Sequence, residues 1–221
     1  LSTVLIAHDP ELMQLIARSG CRGLLLGLET LSREGLGDAR KKFNGSVDYA
    51  KLIADLHALG IAIQGCFVFG LDHDTPDVFE STAQFVIDNG IDLPRFALLT
   101  PFPGTPLHER LKQQGRLLTT DWELYDGQHV VFQPLHMTPK ELAEGHERAW
   151  KAVYTRSAIA RRLWKAKAWE PLAIGANLGY RFYAHNLHRF YNCDWHLSPV
   201  GTPIALPRVI PIETKRKAVC G

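Results

Sequence analysis

A glutamate stands directly after a strongly apolar run near the start of this 221-residue chain. Residues 23–28 read GLLLGL, and Glu29 and Thr30 follow them. A carboxylate at the end of a buried strand is poorly solvated and needs a partner, so Glu29 could accept hydrogen bonds from an amine or a ribose hydroxyl of a ligand. Spacing alone favours a simpler role, in which Glu29 caps the following turn or pairs with a nearby lysine.

A second polar group ends a later apolar run, where residues 69–74 read FGLDHD. Gly70 would let a ligand approach the backbone closely. Asp72, His73 and Asp74 could form a metal site or an acid/base pair. A polar loop with a helix cap is the more frequent role of such residues, and it is the interpretation that we favour.

A proline-rich loop follows a further apolar run, and its residues 100–106 read TPFPGTP. The prolines, beginning with Pro101, and Gly104 fix the path of this loop. We therefore predict a stiff structure rather than a mobile lid. It could wall an active site, or it could be a rigid turn that contacts no ligand.

Other reactive side chains are weaker candidates. Cys193 and His196 flank Asp194 with C-x-x-H spacing, but no second ligand pair stands nearby, so we predict no zinc site. His185 and His188 could share one helix face, although packed or surface histidines are more common. Neither a CxxC nor a CxxxCxxC group is present, and we predict no metal centre and no disulfide among the four cysteines, Cys21, Cys66, Cys193 and Cys220.

An alternation of predicted strands and helices positions these groups. Strands are predicted over residues 3–7, 23–28, 61–69 and 96–99, and the intervening helices begin at Asp9, Ser46 and Thr75. A further helix is predicted over residues 107–114. Such alternation with short connections predicts an α/β fold with parallel strands. About four strands are fewer than a closed eight-stranded barrel needs, and ligands of such folds bind at the carboxyl ends of the strands.

The pattern becomes mainly helical after Trp122. We predict a short strand over 130–132, a helix from Thr138 to about Tyr154, and an aromatic helix over about 171–191 whose rings fill a core. The stretch from Arg156 to Lys167 is basic without an acidic residue, which favours a solvated helix face over contact with an anionic surface. The predicted division is a β/α part over 1–120, a helical extension over 121–195 and an extended or disordered tail over 196–221.

Composition narrows the possible partners. A net charge of +2 is too small to indicate a nucleic-acid partner. No apolar run is as long as the ~18 residues that a membrane-spanning helix needs. The first residues lack the basic start of a signal peptide, so we expect a cytoplasmic protein. The chain opens inside a strand-like run, as expected of a piece of a longer protein.

Three ordered motifs resemble the radical S-adenosylmethionine (SAM) enzymes, in the branch that carries an N-terminal cobalamin-binding domain. They are GLLLGLETLS followed by KKFN, then GCFVFGLDHDTPDVFESTAQF, then LLTPFPGTPLHERLKQQGRL. The resemblance covers about residues 1–154. It extends through Trp122, Tyr125, residues 129–132 and the MTPKELAEG segment.

The resemblance implies the C-terminal part of a partial (β/α)6 barrel with a helical extension. In that family a CxxxCxxC loop holds a 4Fe–4S cluster, and SAM bound to the cluster is cleaved to a 5′-deoxyadenosyl radical. By motif matching, Glu29 and Thr30 would contact SAM, Gly70 would lie near its adenosine, and the loop over residues 101–106 would close the far side of the barrel. The candidate cofactor-binding residues are Glu29, Thr30, Gly70, Asp72, Pro101 and Gly104.

The departures from the family pattern set the functional expectation. The cysteine loop and a preceding cobalamin-binding domain are absent, so the chain would begin at the third of six strands. We expect a truncated or fragmented protein that is inactive by itself. Its parent protein would use SAM and a 4Fe–4S cluster, with cobalamin as an optional further cofactor. The expected reaction is methylation or ring modification of a small molecule. The alternative is a non-catalytic barrel module that binds a protein partner or, peripherally, a membrane surface.

Overall fold

The computed structural model describes residues 4–31, 47–167 and 171–190. Its strands are β1 (Gly23–Glu29), β2 (Ala62–Phe69) and β3 (Arg95–Leu98). The helices are α1 (Pro10–Arg18), α2 (Tyr49–Ala58), α3 (Val78–Asn89), α4 (Pro106–Gln113), α5 (Pro139–Val153), α6 (Arg156–Ala166), α7 (Pro171–His185) and α8 (Leu187–Phe190). Two 3₁₀ helices cover Val4–His8 and Trp122–Leu124.

The strands form one parallel sheet in the order β1-β2-β3. Cys66 in the central strand pairs with Gly27 on one side and with Arg95 on the other. The prediction of an α/β fold with parallel strands is confirmed, since each strand is followed by a helix before the next strand begins.

The predicted first strand over residues 3–7 is wrong. Val4–His8 is a 3₁₀ helix, in which the side chains of Val4 and Ile6 are buried in the core and the amide of Asp9 donates to the carbonyl of Ile6 at 3.0 Å. Packing of these two apolar side chains therefore outweighs the strand preference of β-branched residues, and the described residues contain three strands rather than four.

The two faces of the sheet differ in burial. The outer face carries Leu26, Leu28, Ile63, Phe67, Phe69, Phe96 and Leu98, all of which are fully buried. Burying such side chains contributes roughly 1.5–3 kcal/mol each. The opposite face, which we call the inner face, is only partly covered and carries Leu25, Gly27, Gln64, Cys66, Val68, Arg95 and Ala97.

Most helix starts follow the sequence signals. The side chain of Asp9 accepts from the amide of Leu12, and Thr138 forms the predicted capping box with Glu141. The second helix starts later than predicted, because Asp48 caps it and Ser46 lies outside the described residues. Helix α3 likewise starts later than predicted, since Thr75 and Pro76 precede its N-cap residue Asp77.

The helical region after Trp122 packs onto the sheet. Trp150 of α5 contacts Phe96 with ring centroids 5.5 Å apart, and it stacks on Tyr154 at 5.7 Å and on Tyr180 of α7 at 6.2 Å. The core therefore continues across residue 120, and the division at that residue stays a prediction. The strand predicted over 130–132 is only a single bridge between Leu117 and Phe132.

The remaining predictions for this region have mixed outcomes. The predicted aromatic helix is divided into α7 and α8, and Tyr191 and the predicted tail over 196–221 lie outside the described residues. The solvated helix face predicted for the basic stretch is wrong for Arg162, which is fully buried. Within the described ranges, none of the helices combines the length and apolar character that crossing a bilayer requires.

Candidate functional site

The carboxyl ends of the three strands lie at one edge of the sheet. Glu29 pairs with Phe67, Phe69 pairs with Leu98, and the amide of Leu99 donates to the carbonyl of Phe69 at 2.8 Å. Glu29 lies at this shared edge as the last residue of β1, and the segments that hold the other five candidate residues begin there. We call it the strand-end edge.

Glu29 is held in an unusual backbone conformation at the strand-end edge. Its φ is 66°, in the left-handed region that costs a non-glycine residue about 1–2 kcal/mol, and the strand register shifts between Gly27 and Glu29. The carbonyl of Leu28 accepts from the amide of Thr30 and from the hydroxyl of Tyr49, each at 2.9 Å. These bonds fix the end of the strand. Thr30, the next residue, is buried.

The carboxylate of Glu29 lies within electrostatic reach of the Cys66 thiol. Burial raises the pKa of the Cys66 thiol, the nearby Arg95 guanidinium lowers this pKa, and the Glu29 carboxylate raises it. Glu29 and Arg95 therefore both lie within electrostatic reach of Cys66, in the middle of the inner face.

Gly70 serves packing at this edge. Its φ is 98°, and a Cβ added there would lie 3.0 Å from Cδ2 of Leu142 and 3.1 Å from Cζ of Phe132. The amides of Gly70 and Leu71 donate to Oδ2 of Asp74 at 2.8 and 3.0 Å. The space beside Gly70 is thus occupied by protein side chains, so the close approach that we predicted there is made by Phe132 and Leu142. Contact of Gly70 with adenosine stays a prediction.

Asp72 is engaged by two arginines. Oδ1 accepts from Nη2 of Arg116 and Oδ2 pairs with Nη1 of Arg110, both at 2.8 Å. Arg116 also donates through Nε to the carbonyl of Gln133 at 2.8 Å. Both carboxylate oxygens of Asp72 therefore link the strand-end edge to α4 and to the segment after it. A role of Asp72 in cofactor binding stays a prediction.

The metal site considered for residues 72–74 has no support in the structure. Among the described residues, no three His, Cys, Asp or Glu side chains come together as metal ligands would. The polar-loop interpretation of Asp72, His73 and Asp74 fits their contacts better, because Asp72 binds arginines and Asp74 accepts backbone amides.

Hydrogen bonds within the proline-rich loop hold it closely. The amide of Phe102 donates to the carbonyl of Thr100, and Thr105 donates to the carbonyl of Phe102 through its amide and its hydroxyl. Thr105 then caps α4 by accepting from the amide of His108. Pro101 is buried, whereas Gly104, with a φ of 78°, stands in open space. A contact of this loop with SAM stays a prediction.

Sequence reasoning missed the polar groups on the inner face. Nε2 of Gln64 donates to the hydroxyl of Tyr180 at 3.1 Å, which brings α7 against this face. Arg95 is exposed on it, opposite Cys66. The signal was the alternation of the run RFAL, in which a charged residue occupies the face opposite to Phe96 and Leu98.

The cysteines present do not fit an iron–sulfur cluster. Cys21 precedes β1 whereas Cys66 lies within β2, and Cys193 and Cys220 fall outside the described residues. By contrast, a carboxylate at the end of β1 is a group that can accept from ammonium or ribose donors such as those of SAM.

Among the residues that the structure describes, His185 is not part of a metal-ligand group. Nη1 of Arg181 lies 3.0 Å from Nε2 of His185, and burial lowers the pKa of His185. The side chain of His188 and the group over residues 193–196 lie outside what the structure describes.

Comparison with known proteins gives a consistent set of relatives. Residues 105–201 match a family described as a domain of unknown function (DUF4070). A bacteriochlorophyllide d C-12(1)-methyltransferase of Chlorobaculum tepidum is 39% identical over 156 residues, which are 71% of this chain and 34% of that protein. An anaerobic magnesium-protoporphyrin IX monomethyl ester cyclase of Cereibacter sphaeroides is 26% identical over 160 residues, which are 72% of this chain and 26% of that protein.

One solved structure is a looser match. It is the radical S-adenosylmethionine methyltransferase TsrM of Kitasatospora setae with cobalamin and a [4Fe-4S] cluster bound. The TM-score is 0.43 at 21% identity, over 83% of this chain and 42% of that one, a likeness too loose to support an inference. The chain spans about a third of the length of the two bacteriochlorophyllide methyltransferases of Chlorobaculum tepidum to which it is similar.

Proposed function

We propose that this chain belongs to the radical SAM superfamily, in its cobalamin-associated branch, and that its parent protein is an enzyme that methylates an unreactive carbon of a small molecule. The observation that carries the proposal is the left-handed backbone of Glu29 at the strand-end edge, whose carboxylate raises the pKa of the Cys66 thiol. Backbone strain held in place by surrounding bonds is concentrated at functional sites.

In this proposal the chain supplies one side of the SAM site. Glu29 accepts hydrogen bonds from the cofactor, and the buried hydroxyl of Thr30 supports the same turn. The proline-rich loop walls the mouth at Pro101 and Gly104. The ion pairs of Asp72 with Arg110 and Arg116 keep the loops of the edge in place, so Asp72 acts as a positioning residue.

The cluster ligands lie outside this chain in the proposal, because the described cysteines are separated in the fold. When bound, the cluster, SAM and cobalamin supply the radical and methyl-transfer chemistry. Methylation is preferred over ring closure because a methyltransferase is the more similar of the two relatives compared above. We expect the chain by itself to be inactive.

The first experiment asks whether the parent protein is a radical SAM enzyme. The protein encoded by the intact gene is purified anaerobically, and its iron, sulfide and SAM cleavage are measured. We expect about four iron and four sulfide per protein, because each cluster holds four of each, and we expect reductant-dependent cleavage of SAM. A product without a SAM-cleaving cluster would remove the enzyme proposal and favour the non-catalytic module.

The second experiment tests Glu29. The substitution Glu29→Gln keeps the size of the side chain and removes its charge, so SAM should bind about 1–3 kcal/mol more weakly. Glu80→Gln, on the exposed surface of α3, is the matched control and should leave SAM binding unchanged. Equal SAM affinity of the Glu29→Gln variant and the unaltered protein would contradict the role of Glu29.

A further inference from the structure

The inner face carries the exposed cation Arg95 on a surface that is partly apolar. Arg95 stands on β3 beside Ala97 and opposite Cys66, and the neighbouring strands add Leu25 and Val68. Within the described residues, no hydrogen bond or ion pair of Arg95 is present, although its charge reaches Cys66 and Tyr183. A guanidinium has five N–H donors, and among the described residues no protein acceptor is hydrogen-bonded to that of Arg95, which is exposed.

The surroundings of Arg95 suit a flat or elongated apolar body. Tyr183 lies within its electrostatic reach, and Tyr180 hydrogen-bonds Gln64 on the same face. Both rings are held by the aromatic cluster around Trp150, to which they lie 5.1 and 6.2 Å away between centroids. An apolar strand surface beside fixed aromatic rings is the usual lining of a small-molecule site.

We propose that Arg95 binds a carboxylate of the substrate, whose apolar body lies along the inner face toward the strand-end edge. This inference rests on the proposed function and names the substrate class for it. The planar guanidinium matches a carboxylate through two parallel hydrogen bonds. A phosphate carries nearly two negative charges, which one arginine does not neutralise, so a carboxylate fits better.

The strand geometry sets the size of this substrate. Arg95 and Leu98 are the first and last residues of β3, and three strand steps of about 3.3 Å separate them by roughly 10 Å. The backbone of Arg95 therefore lies roughly 10 Å from the strand-end edge where SAM is proposed to bind. The substrate must span this separation, plus or minus the reach of the arginine side chain.

A fluorescent pair of probes tests the charge requirement. 1-Pyrenebutyrate offers a flat apolar ring with a carboxylate, and 1-pyrenebutanol is its neutral counterpart. Binding of each to the protein encoded by the intact gene is measured by pyrene fluorescence. We expect the acid to bind about tenfold more tightly than the alcohol, as a hydrogen-bonded charged group warrants. No preference for the acid overturns the proposal.

Variants assign that preference to a residue. Arg95→Gln should bring the two affinities within about twofold of each other, and Arg95→Lys should keep part of the preference because charge remains without the planar fork. Arg148→Gln removes an exposed arginine of α5 and should leave the preference intact. An unchanged preference in Arg95→Gln, or its loss in Arg148→Gln, overturns the assignment.

SAM cleavage, measured on the same preparations, separates the two proposals. If the acid preference depends on Arg95 but SAM is not cleaved, the anion site stands and the enzymatic function falls. If SAM is cleaved but Arg95 confers no preference, only the substrate inference falls.

Discussion

Two arginines near β3 meet opposite surroundings. Arg162 on α6 is fully buried, and its Nη atoms donate to the carbonyls of Ile91, Asp92 and Val153 and to the side chain of Asn177. Arg95 opens β3 on the inner face, where it is exposed and has no such partner among the described residues. The guanidinium of Arg162 is therefore occupied by groups of the protein, whereas that of Arg95 is available to a ligand.

The position of the two arginines explains the difference. Arg162 binds the carbonyls of residues just before β3, and Tyr154 donates to the carbonyl of Pro94 at 2.8 Å. Burial lowers the pKa of Arg162 to about 10, and the Tyr154 ring lies 5.0 Å from its guanidinium. The buried side thus fixes where β3 begins, and this fixes where Arg95 emerges on the other face.

The largest expected effect comes from removing the buried guanidinium. Arg162→Met should lower the free energy of unfolding by about 3–5 kcal/mol, because several buried acceptors lose their donor. Arg95→Met, the matched control, should change it by less than about 0.5 kcal/mol. Urea denaturation of both variants measures this, and equal losses would abolish the contrast between the two regions.

A buried histidine of the same region should make stability depend on pH. Burial lowers the pKa of His146 from 6.5 to about 4, and its Nε2 accepts from Nε1 of Trp150 at 3.0 Å. The unfolded chain therefore binds this proton first as the pH falls, so stability declines from about pH 6.5 to about pH 4, by about 3 kcal/mol in total.

The variant His146→Gln identifies the source of that decline. A glutamine carbonyl can still accept from Trp150 but does not titrate, so its stability profile should be flatter by this amount between the two pH values. Denaturant titrations at several pH values measure it. Identical slopes in the variant and the unaltered protein would place the pH dependence elsewhere.

Substitutions at the strand-end edge should lower the free energy of unfolding by an intermediate amount. Asp72→Asn leaves the largely buried Arg116 without its carboxylate and should destabilise the fold by about 2 kcal/mol. Arg110→Gln removes only the partner that is 41% exposed, so it should cost less than about 1 kcal/mol. If the two substitutions cost the same in thermal or urea denaturation, the pairing with Arg116 is not the dominant interaction of Asp72.

The smallest effect should carry the opposite sign. Glu29→Gly relieves the left-handed strain and should raise the free energy of unfolding by about 1 kcal/mol, whereas Glu29→Ala keeps the strain and should not. Both variants should bind SAM more weakly if Glu29 has the proposed role. A Glu29→Gly variant that is destabilised would show that the carboxylate serves the fold instead.

The parallel α/β alternation could be predicted from residue types alone, because buried strands and capped helices leave local signals. GLLLGL, the caps at Asp9 and Thr138, and the stiff TPFPGTP loop were all readable from residue types. The strand prediction for residues 3–7 failed because it rested on local composition. The burial of Val4 and Ile6 depends instead on packing against other parts of the fold.

The binding partners of the charged groups became visible only in the folded protein. Asp72 meets Arg116 across 44 residues of sequence, and Arg162 meets Ile91 across 71, so neither pairing leaves a local pattern. Burial also explains the difference between Arg162 and Arg95. A buried guanidinium requires hydrogen-bond acceptors from the protein, whereas an exposed guanidinium on a strand face does not and can bind a ligand.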